Sequence, residues 1–553
     1  MRFTEFISTC FCSLVLPGSL MAYTHQDTLR GSNGIGRSWW DVQHYSLDIT
    51  FDTATKTISG SNNIVFKITA PPHDSLQIDL QAPMVLDSVV YSSLDSGIYN
   101  SQRLAIAHEG NVWWVKYPFH NIHVGSQKSL VCFYHGQPRT AVHPPWDGGF
   151  IWNTDSLDKP WIAVACQGLG ASVWWPCKDA QWDEPDKGQD MTFTLPVNLE
   201  CVSNGHLMEQ RTLNNGMARW DWQVKNPIDN YDVTFYIGDY VHWSDTMMGE
   251  KGELPLDFYA LRYNEAKARK QFSIVKPMLH CFEYWMGPYP FYADGYKLVE
   301  APYLGMEHQS AVAYGNKYQM GYLGRDRSGT GIGLTFDYII VHESGHEWFG
   351  NNVTAQDIAD NWIHEGITTW SETLFVDCMM GKEAAGKYSR GNWGEIQNDK
   401  PLIGQYGVNN EGSGDIYRKG AAMMYMIRAI MDNDEQFRQM MRGLSDSFYH
   451  KTITTAQAED YISSYLPGVP MKAFFNQYLR TIDIPQLEFY VKKRRLYFRF
   501  THIVEGFSLP VQISNSTDSL IITPSAEWHS IRWNNGDDVV FGKGLLITIK
   551  NTL

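Results

Sequence analysis

Apart from its first residues, Met1 to Ala22, the sequence has no run approaching the roughly 20 consecutive apolar residues that a membrane-spanning helix needs. It also lacks a surplus of positive charge. Lys and Arg number 45 against 60 Asp and Glu, a formal net charge of −15, so nucleic acid and anionic lipid surfaces would repel the chain and neither is expected as a partner. Cysteine is scarce, with eight in 553 residues, which excludes a disulfide-built scaffold. Internal repeats and low-complexity stretches are missing, which argues against solenoids, propellers and disordered tails. What is present is the composition of an ordinary globular protein, 43% hydrophobic and 19% charged, long enough for three or four units, each with its own core.

Met1 to Ala22 carries Arg2, an apolar stretch from Cys10 to Leu16, then Pro17-Gly18-Ser19 and a small residue at Ala22, the pattern of a secretory signal peptide. The expected location is therefore periplasmic or extracellular. Removing that segment leaves Cys132, Cys166, Cys177, Cys201, Cys281 and Cys378, of which an exported protein could pair some, Cys166 with Cys177 for example. Aromatics make up 14% and include the doublets Trp39-Trp40, Trp113-Trp114 and Trp174-Trp175, read as sheet packing in preference to a ligand groove.

The chain divides by periodicity. Tyr45, Leu47, Ile49 and Phe51 alternate with Ser46, Asp48 and Thr50, as a half-buried antiparallel strand requires, and Asn, Gly and Ser clusters break such runs up to about residue 245. Near Asn264 the pattern turns helical. Helices are expected over Thr335 to Trp348, Trp362 to Met380 and Lys419 to Met431. Strands resume after Pro485, in Leu487 to Tyr490, Leu496 to Phe500, Leu520 to Thr523 and Leu545 to Ile549. The expected architecture is an α+β multidomain chain: an all-β domain over 23–245, a catalytic domain over 246–484 and a small β domain over 485–553.

The chemistry concentrates in His342-Glu343-Ser344-Gly345-His346. Four-residue spacing sets both imidazoles on one helical face, where they can share one cation, with Glu343 placed to reach a metal-bound water. A solvated surface helix would also tolerate two histidines, but Tyr338, Ile339, Ile340 and Val341 are apolar and predict burial. Catalytic zinc takes three protein ligands and an open position, and Glu365, in Asn361-Trp362-Ile363-His364-Glu365-Gly366, supplies the third. Glu372, seven residues on, returns to within about 20 degrees of the same face and can orient a ligand histidine. His364 is a rival ligand, but it points about 100 degrees away from Glu365 on a helix.

His342-Glu343-x-x-His346, eighteen residues and then Glu365 resembles the gluzincin signature of the aminopeptidase N family. Trp348-Phe349-Gly350-Asn351 and Val353-Thr354 agree with it, Trp40 to Tyr45 with Ile58-Ser59-Gly60 resembles the opening of the family's N-terminal β domain, and the similarity runs to about residue 480. The resemblance implies a thermolysin-like catalytic domain, one zinc ion per chain and peptide substrates with a free N-terminus. Leu304-Gly305-Met306-Glu307-His308 resembles the G-x-M-E-N motif, with Leu304 in place of glycine and His308 in place of asparagine; Glu307 would bind the substrate ammonium, and Gly305 and Met306 its backbone. Gln167, in Cys166-Gln167-Gly168, resembles the β-domain residue that touches the same amino end, and Tyr417, in Ile416-Tyr417-Arg418-Lys419-Gly420, the tyrosine that donates to the oxyanion. Glu343 would be the general base. A thermolysin-like endopeptidase would lack the blocking Glu307, an inactive peptide-binding relative would have lost Glu343 or Tyr417, and an epoxide hydrolase, as in the related leukotriene hydrolase, would share the site.

Overall fold

The computed structural model describes residues 23–95, 98–117, 123–515, 518–533 and 538–553. The expected export segment, 1–22, lies outside the described residues. Among those residues no helix is long and apolar enough to cross a membrane.

The first domain is all β. Trp40–Asp52 alternates as its sequence dictates, with Val42, Tyr45, Leu47, Ile49 and Phe51 turned inward, and pairs antiparallel with Thr57–Ile68 and parallel with Gln189–Pro196. These strands are central in an eight-stranded sheet that shares one core with a four-stranded sheet containing Gly149–Thr154, Pro160–Ala165 and Phe235–Gly238. Trp39, Trp40, Trp174 and Trp175 are fully buried there, so these doublets are packing, not a groove.

The domain boundary differs from the expected one at 245. Tyr240–Gly249 pairs along its length with Gly252–Leu261, and that hairpin belongs to the central domain's sheet, so the division falls at about residue 239. Strand periodicity looks the same in both domains, and only the pairing partner separates them. The central sheet continues through Tyr296–Glu300 and Val312–Tyr314 to a short edge strand, Gly305–Met306, which delivers Glu307 to the cleft.

Among the helices of the central domain, Val275–Met286, Tyr338–Gly345, Trp362–Met380 and Arg418–Met431 surround the site. The second is shorter than the expected Thr335 to Trp348. The Asp337 side chain accepts from the amides of Ile339 and Ile340 and caps its start, and after His346 the chain turns through Gly350, whose φ of +132° favours glycine. The first and third are joined by Cys281–Cys378, while Cys166 and Cys177 are free and buried, so that pairing is not formed.

The last helix of the central domain ends at Arg480 and the C-terminal β unit opens at Gln486, either side of the expected boundary at 484. This unit has a four-stranded and a three-stranded sheet; its final strand is Thr548–Asn551, three residues later than the apolar pattern implied. Leu545, Leu546 and Ile547 pack into the core shared with the central domain while Ile549 is exposed, and Leu487, Leu496, Phe498 and Val511 continue the same core.

Candidate active site

The helix carrying the two histidines is buried on every side, which its apolar text requires. Its neighbour, Trp362–Met380, brings Glu365 opposite them: Glu365 Oε2 lies 3.6 Å from His342 Nε2 and 3.3 Å from His346 Nε2. The far nitrogens fix which atoms carry lone pairs. His346 Nδ1 faces the Phe349 carbonyl at 3.1 Å, and a carbonyl only accepts, so Nδ1 carries the proton. His342 Nδ1 faces Glu372 Oε1 at 2.9 Å, and Glu372 Oε2 accepts from the Tyr388 hydroxyl at 2.6 Å, so it too is a donor. Both Nε2 atoms therefore turn lone pairs toward Glu365 Oε2, which is buried and has no hydrogen-bond partner among the described residues. Three converging lone pairs, all within 4.8 Å, repel one another unless a cation lies among them. Two imidazoles and one carboxylate, each imidazole fixed by an outer acceptor, fit a divalent ion of the zinc type.

His364 is not part of this group. Its Nε2 accepts from the Ala355 amide at 2.7 Å, on the side of the helix away from Glu365.

Glu343 and Glu307 approach His346 from the other side, their ligand-type atoms also within 4.8 Å of one another. Burial pushes the Glu343 carboxyl up to about 7, the like charge of Glu307 adds to it, and a nearby dication would oppose the shift. Glu307 is 3% exposed; its Oε1 accepts from Gln167 Nε2, contributed by the β domain, and from the Tyr231 hydroxyl at 3.3 Å. Burial raises its carboxyl too. The Asn351 amide donates to the Glu307 carbonyl at 2.8 Å and fixes the backbone at this point. Gly305 leaves room for Glu343, since a Cβ at 305 would lie 2.6 Å from Glu343 Oε1.

His308, where the motif has asparagine, is turned away from the cleft. Tyr236 donates its hydroxyl proton to the Ala311 carbonyl, so its oxygen accepts from His308 Nδ1 at 2.7 Å, and burial lowers that imidazole to about 3, keeping it neutral.

Tyr417 stands at the start of the Arg418–Met431 helix with its ring stacked near His342, centroids 6.0 Å apart and planes 23° from parallel. A close helix crossing brings it there: a Cβ at Gly420 would lie 2.7 Å from Gly366 Cα, so two glycines let this helix reach the one bearing Glu365. Glu307, Gln167, Glu343, Glu365, both ligand histidines and Tyr417 all line one cleft of about 930 Å³.

Sequence reasoning did not find Tyr231, Tyr388, Thr368 or Asn351. Thr368 donates to the same Phe349 carbonyl that His346 uses, at 3.0 Å. Asn351 stands in the Trp348-Phe349-Gly350-Asn351 text already noticed, while the two tyrosines are distant in sequence and carry no local signal.

A paired-helix site with two histidines and a glutamate third ligand is what the resemblance to the gluzincin signature implied. Residues 271–478 match the Peptidase family M1 domain. It is 24% identical to leukotriene A-4 hydrolase of Xenopus laevis over 352 residues, 59% of this chain and 54% of that protein. It is 22% identical to aminopeptidase B of Rattus norvegicus over 348 residues, 58% and 49% of the two. The chain thus spans about half the length of these relatives. An M1 zinc metallopeptidase from Deinococcus radiodurans has the same fold, with a TM-score of 0.65 at 18% identity, covering 81% of this chain and 96% of that one.

Proposed function

We propose that the protein is a zinc-dependent aminopeptidase that holds one zinc ion per chain and removes the first residue of peptides with a free N-terminus. The observation that carries this is the convergence of the His342, His346 and Glu365 lone pairs in the cleft that Glu307 and Gln167 close at one end. Bound there, zinc would supply Lewis acidity toward the scissile carbonyl and its attacking water.

The chain's own residues do the rest. Glu343 accepts the water's proton and returns it to the leaving amine, a task suited to a buried carboxylate beside the converging ligands. Tyr417 donates to the oxyanion as charge develops on it. Glu307 and Gln167 hold the substrate ammonium, Gly305 and Met306 run beside its backbone, and Glu372 with Tyr388 fixes the tautomer and orientation of His342.

An endopeptidase needs a cleft open at both ends, and the Glu307, Gln167 and Tyr231 cluster argues against it. The Deinococcus enzyme has been crystallised with the peptide Tyr-Ser-Ala, which supports a peptide as the ligand class. The reading is tested by metal analysis of the purified protein together with mass spectrometry of products from free and N-acetylated peptides. Absence of stoichiometric zinc, or equal cleavage of both peptide forms, refutes it.

Export belongs to the same reading. The Met1 to Ala22 pattern and the Cys281–Cys378 disulfide both suit an oxidising compartment. N-terminal sequencing of protein recovered outside the cytoplasm tests it, and an intact Met1 on all recovered protein refutes it.

A further inference from the structure

The short helix His25–Gly31 has no fully buried side chain, so an apolar face does not explain what holds it in place. Polar contacts at its end do. The Leu29 carbonyl accepts from Gln77 Nε2 at 2.9 Å, and the Arg30 and Ser32 carbonyls accept from Arg37 Nη1 at 2.9 and 3.3 Å. Arg37 is fully buried, and its Nη2 donates to Asp79 Oδ2 at 2.6 Å. The same Asp79 oxygen accepts from the Asp179 amide at 3.0 Å, and the Asp179 carboxylate pairs with the Arg30 guanidinium. Two arginines meet two aspartates, so the strap over residues 24–37 is held by a charge-balanced network.

What this strap holds is the turn that carries Gln167. Gly170 donates its amide to the Cys166 carbonyl at 2.6 Å and closes the turn over 166–170. Gly168 and Gly170 stand in it, and glycine loses more freedom on ordering than any other residue. The Arg30 guanidinium lies directly on the turn: a Cβ at Gly170 would be 2.1 Å from Arg30 Nη2 and 2.3 Å from Asp179 Oδ2. Asp179 Oδ2 also accepts from the Ser172 amide at 3.1 Å, just past the turn. Gly31 closes the other side. A Cβ there would lie 2.3 Å from the Val408 carbonyl carbon, and the next residue, Asn409, donates its side-chain amide to the Gly168 carbonyl at 3.1 Å. Strap, turn and the 408–409 loop enclose a cavity of about 50 Å³ lined by Arg30, Gly31, Gln167, Tyr231 and Val408. Gln167 is the wall that this cavity shares with the active-site cleft, and Gln167 and Tyr231 both donate to Glu307 Oε1.

We propose that Arg30, with Gly31, is a positioning residue for substrate recognition: it fixes the turn behind Gln167, so that the Gln167 amide is already set at Glu307 when the substrate ammonium arrives. The inference rests on the aminopeptidase reading. Arg30 does not touch the substrate, and its contribution is preorganisation. Without it the glycine-containing turn must be ordered on binding, a cost that falls on substrate binding and not on the chemical step. Ordering one side chain corresponds to about 3- to 10-fold in KM.

The test measures kcat and KM on a free tripeptide for wild type, Arg30→Ala, Arg30→Lys, Gly31→Ala, Gln167→Ala and the double variant Arg30→Ala with Gln167→Ala. Zinc content and Tm are checked for each. Arg30→Ala should raise KM about 3- to 10-fold with kcat and zinc content unchanged, and Arg30→Lys, which keeps the charge beside Asp179, should recover part of the loss. Gly31→Ala, whose Cβ pushes the strap off Val408, should raise KM in the same way, and it carries the test if Arg30→Ala does not fold. Because Arg30 acts through Gln167, the double variant should have the KM of Gln167→Ala alone. Additive losses in the double variant, or parallel falls in kcat, zinc content and Tm, would show a merely structural contact and overturn the proposal. Unchanged KM in Arg30→Ala and Gly31→Ala, beside a wild type that cleaves only free N-termini, overturns this inference alone. Zinc-loaded wild type that cleaves no free peptide overturns the aminopeptidase reading with it.

Discussion

Glutamine at position 307 would remove one charge and almost nothing else. The side chain is 3% exposed, and the Gln amide oxygen can still accept from Gln167 and from the Tyr231 hydroxyl, so packing and the local hydrogen bonds are kept. What is lost is the charge that faces the substrate ammonium. Hydrogen bonds to charged groups contribute about 1.5–3 kcal/mol, and truncating one side of a buried charged pair costs about 2–5 kcal/mol. With 1.4 kcal/mol per factor of ten, Glu307→Gln should lower kcat/KM on a free tripeptide by about 10² to 10³. The loss should fall largely in KM, because the ammonium is bound alike in ground and transition states. Zinc content should not change, since Glu307 is not among the three converging ligands. For wild type, an N-acetylated copy should be essentially uncleaved: the blocked amine brings no charge and adds bulk where Gln167 and Tyr231 end the cleft. The assay is product mass spectrometry with initial rates on the free and blocked pair. Activity of Glu307→Gln within about three-fold of wild type, where a factor of 10² is expected, would show that the carboxylate does not carry ammonium recognition.

Other perturbations separate the remaining roles. Glu343→Gln should retain zinc and lose turnover by about 10³-fold or more, because an amide cannot take the proton; near-normal turnover removes Glu343 from that step. Tyr417→Phe should lower kcat by about 10²-fold with KM little changed, as expected for one oxyanion donor, and a change confined to KM would reveal packing instead. Glu372→Gln should weaken zinc binding by about 10- to 100-fold through the misoriented His342, read by competition with a chelating dye; unchanged affinity refutes the link. Gly420→Ala should destabilise by about 1–3 kcal/mol and lower Tm by several degrees, because its Cβ would sit 2.7 Å from Gly366 Cα; an unchanged Tm would show that the helix crossing can relax.

Much of this site was legible along the chain because its parts repeat at helical intervals. His342, Glu343 and His346 occupy one turn, and Glu365 and Glu372 occupy two turns of the next helix, so spacing alone aligned them. The same arithmetic set His364 aside, and its side chain is turned to Ala355. Alternation in Trp40–Asp52 likewise fixed a strand and its buried face, but not its parallel pairing with Gln189–Pro196. Sequence could not place groups that meet through different elements. Strand period is identical on both sides of residue 239, so the domain to which Tyr240–Gly249 belongs depended on which strand it paired with. Cys281 and Cys378 lie 97 residues apart and are joined by the packing of two helices, not by any local pattern. Tyr388 and Tyr231 reach Glu372 and Glu307 from other segments. Local periodicity therefore determined the reacting groups on their helices. The closed end of the cleft and the outer partners that fix the histidine tautomers were decided by tertiary contacts, because each depends on distances between residues that the chain order does not bring together.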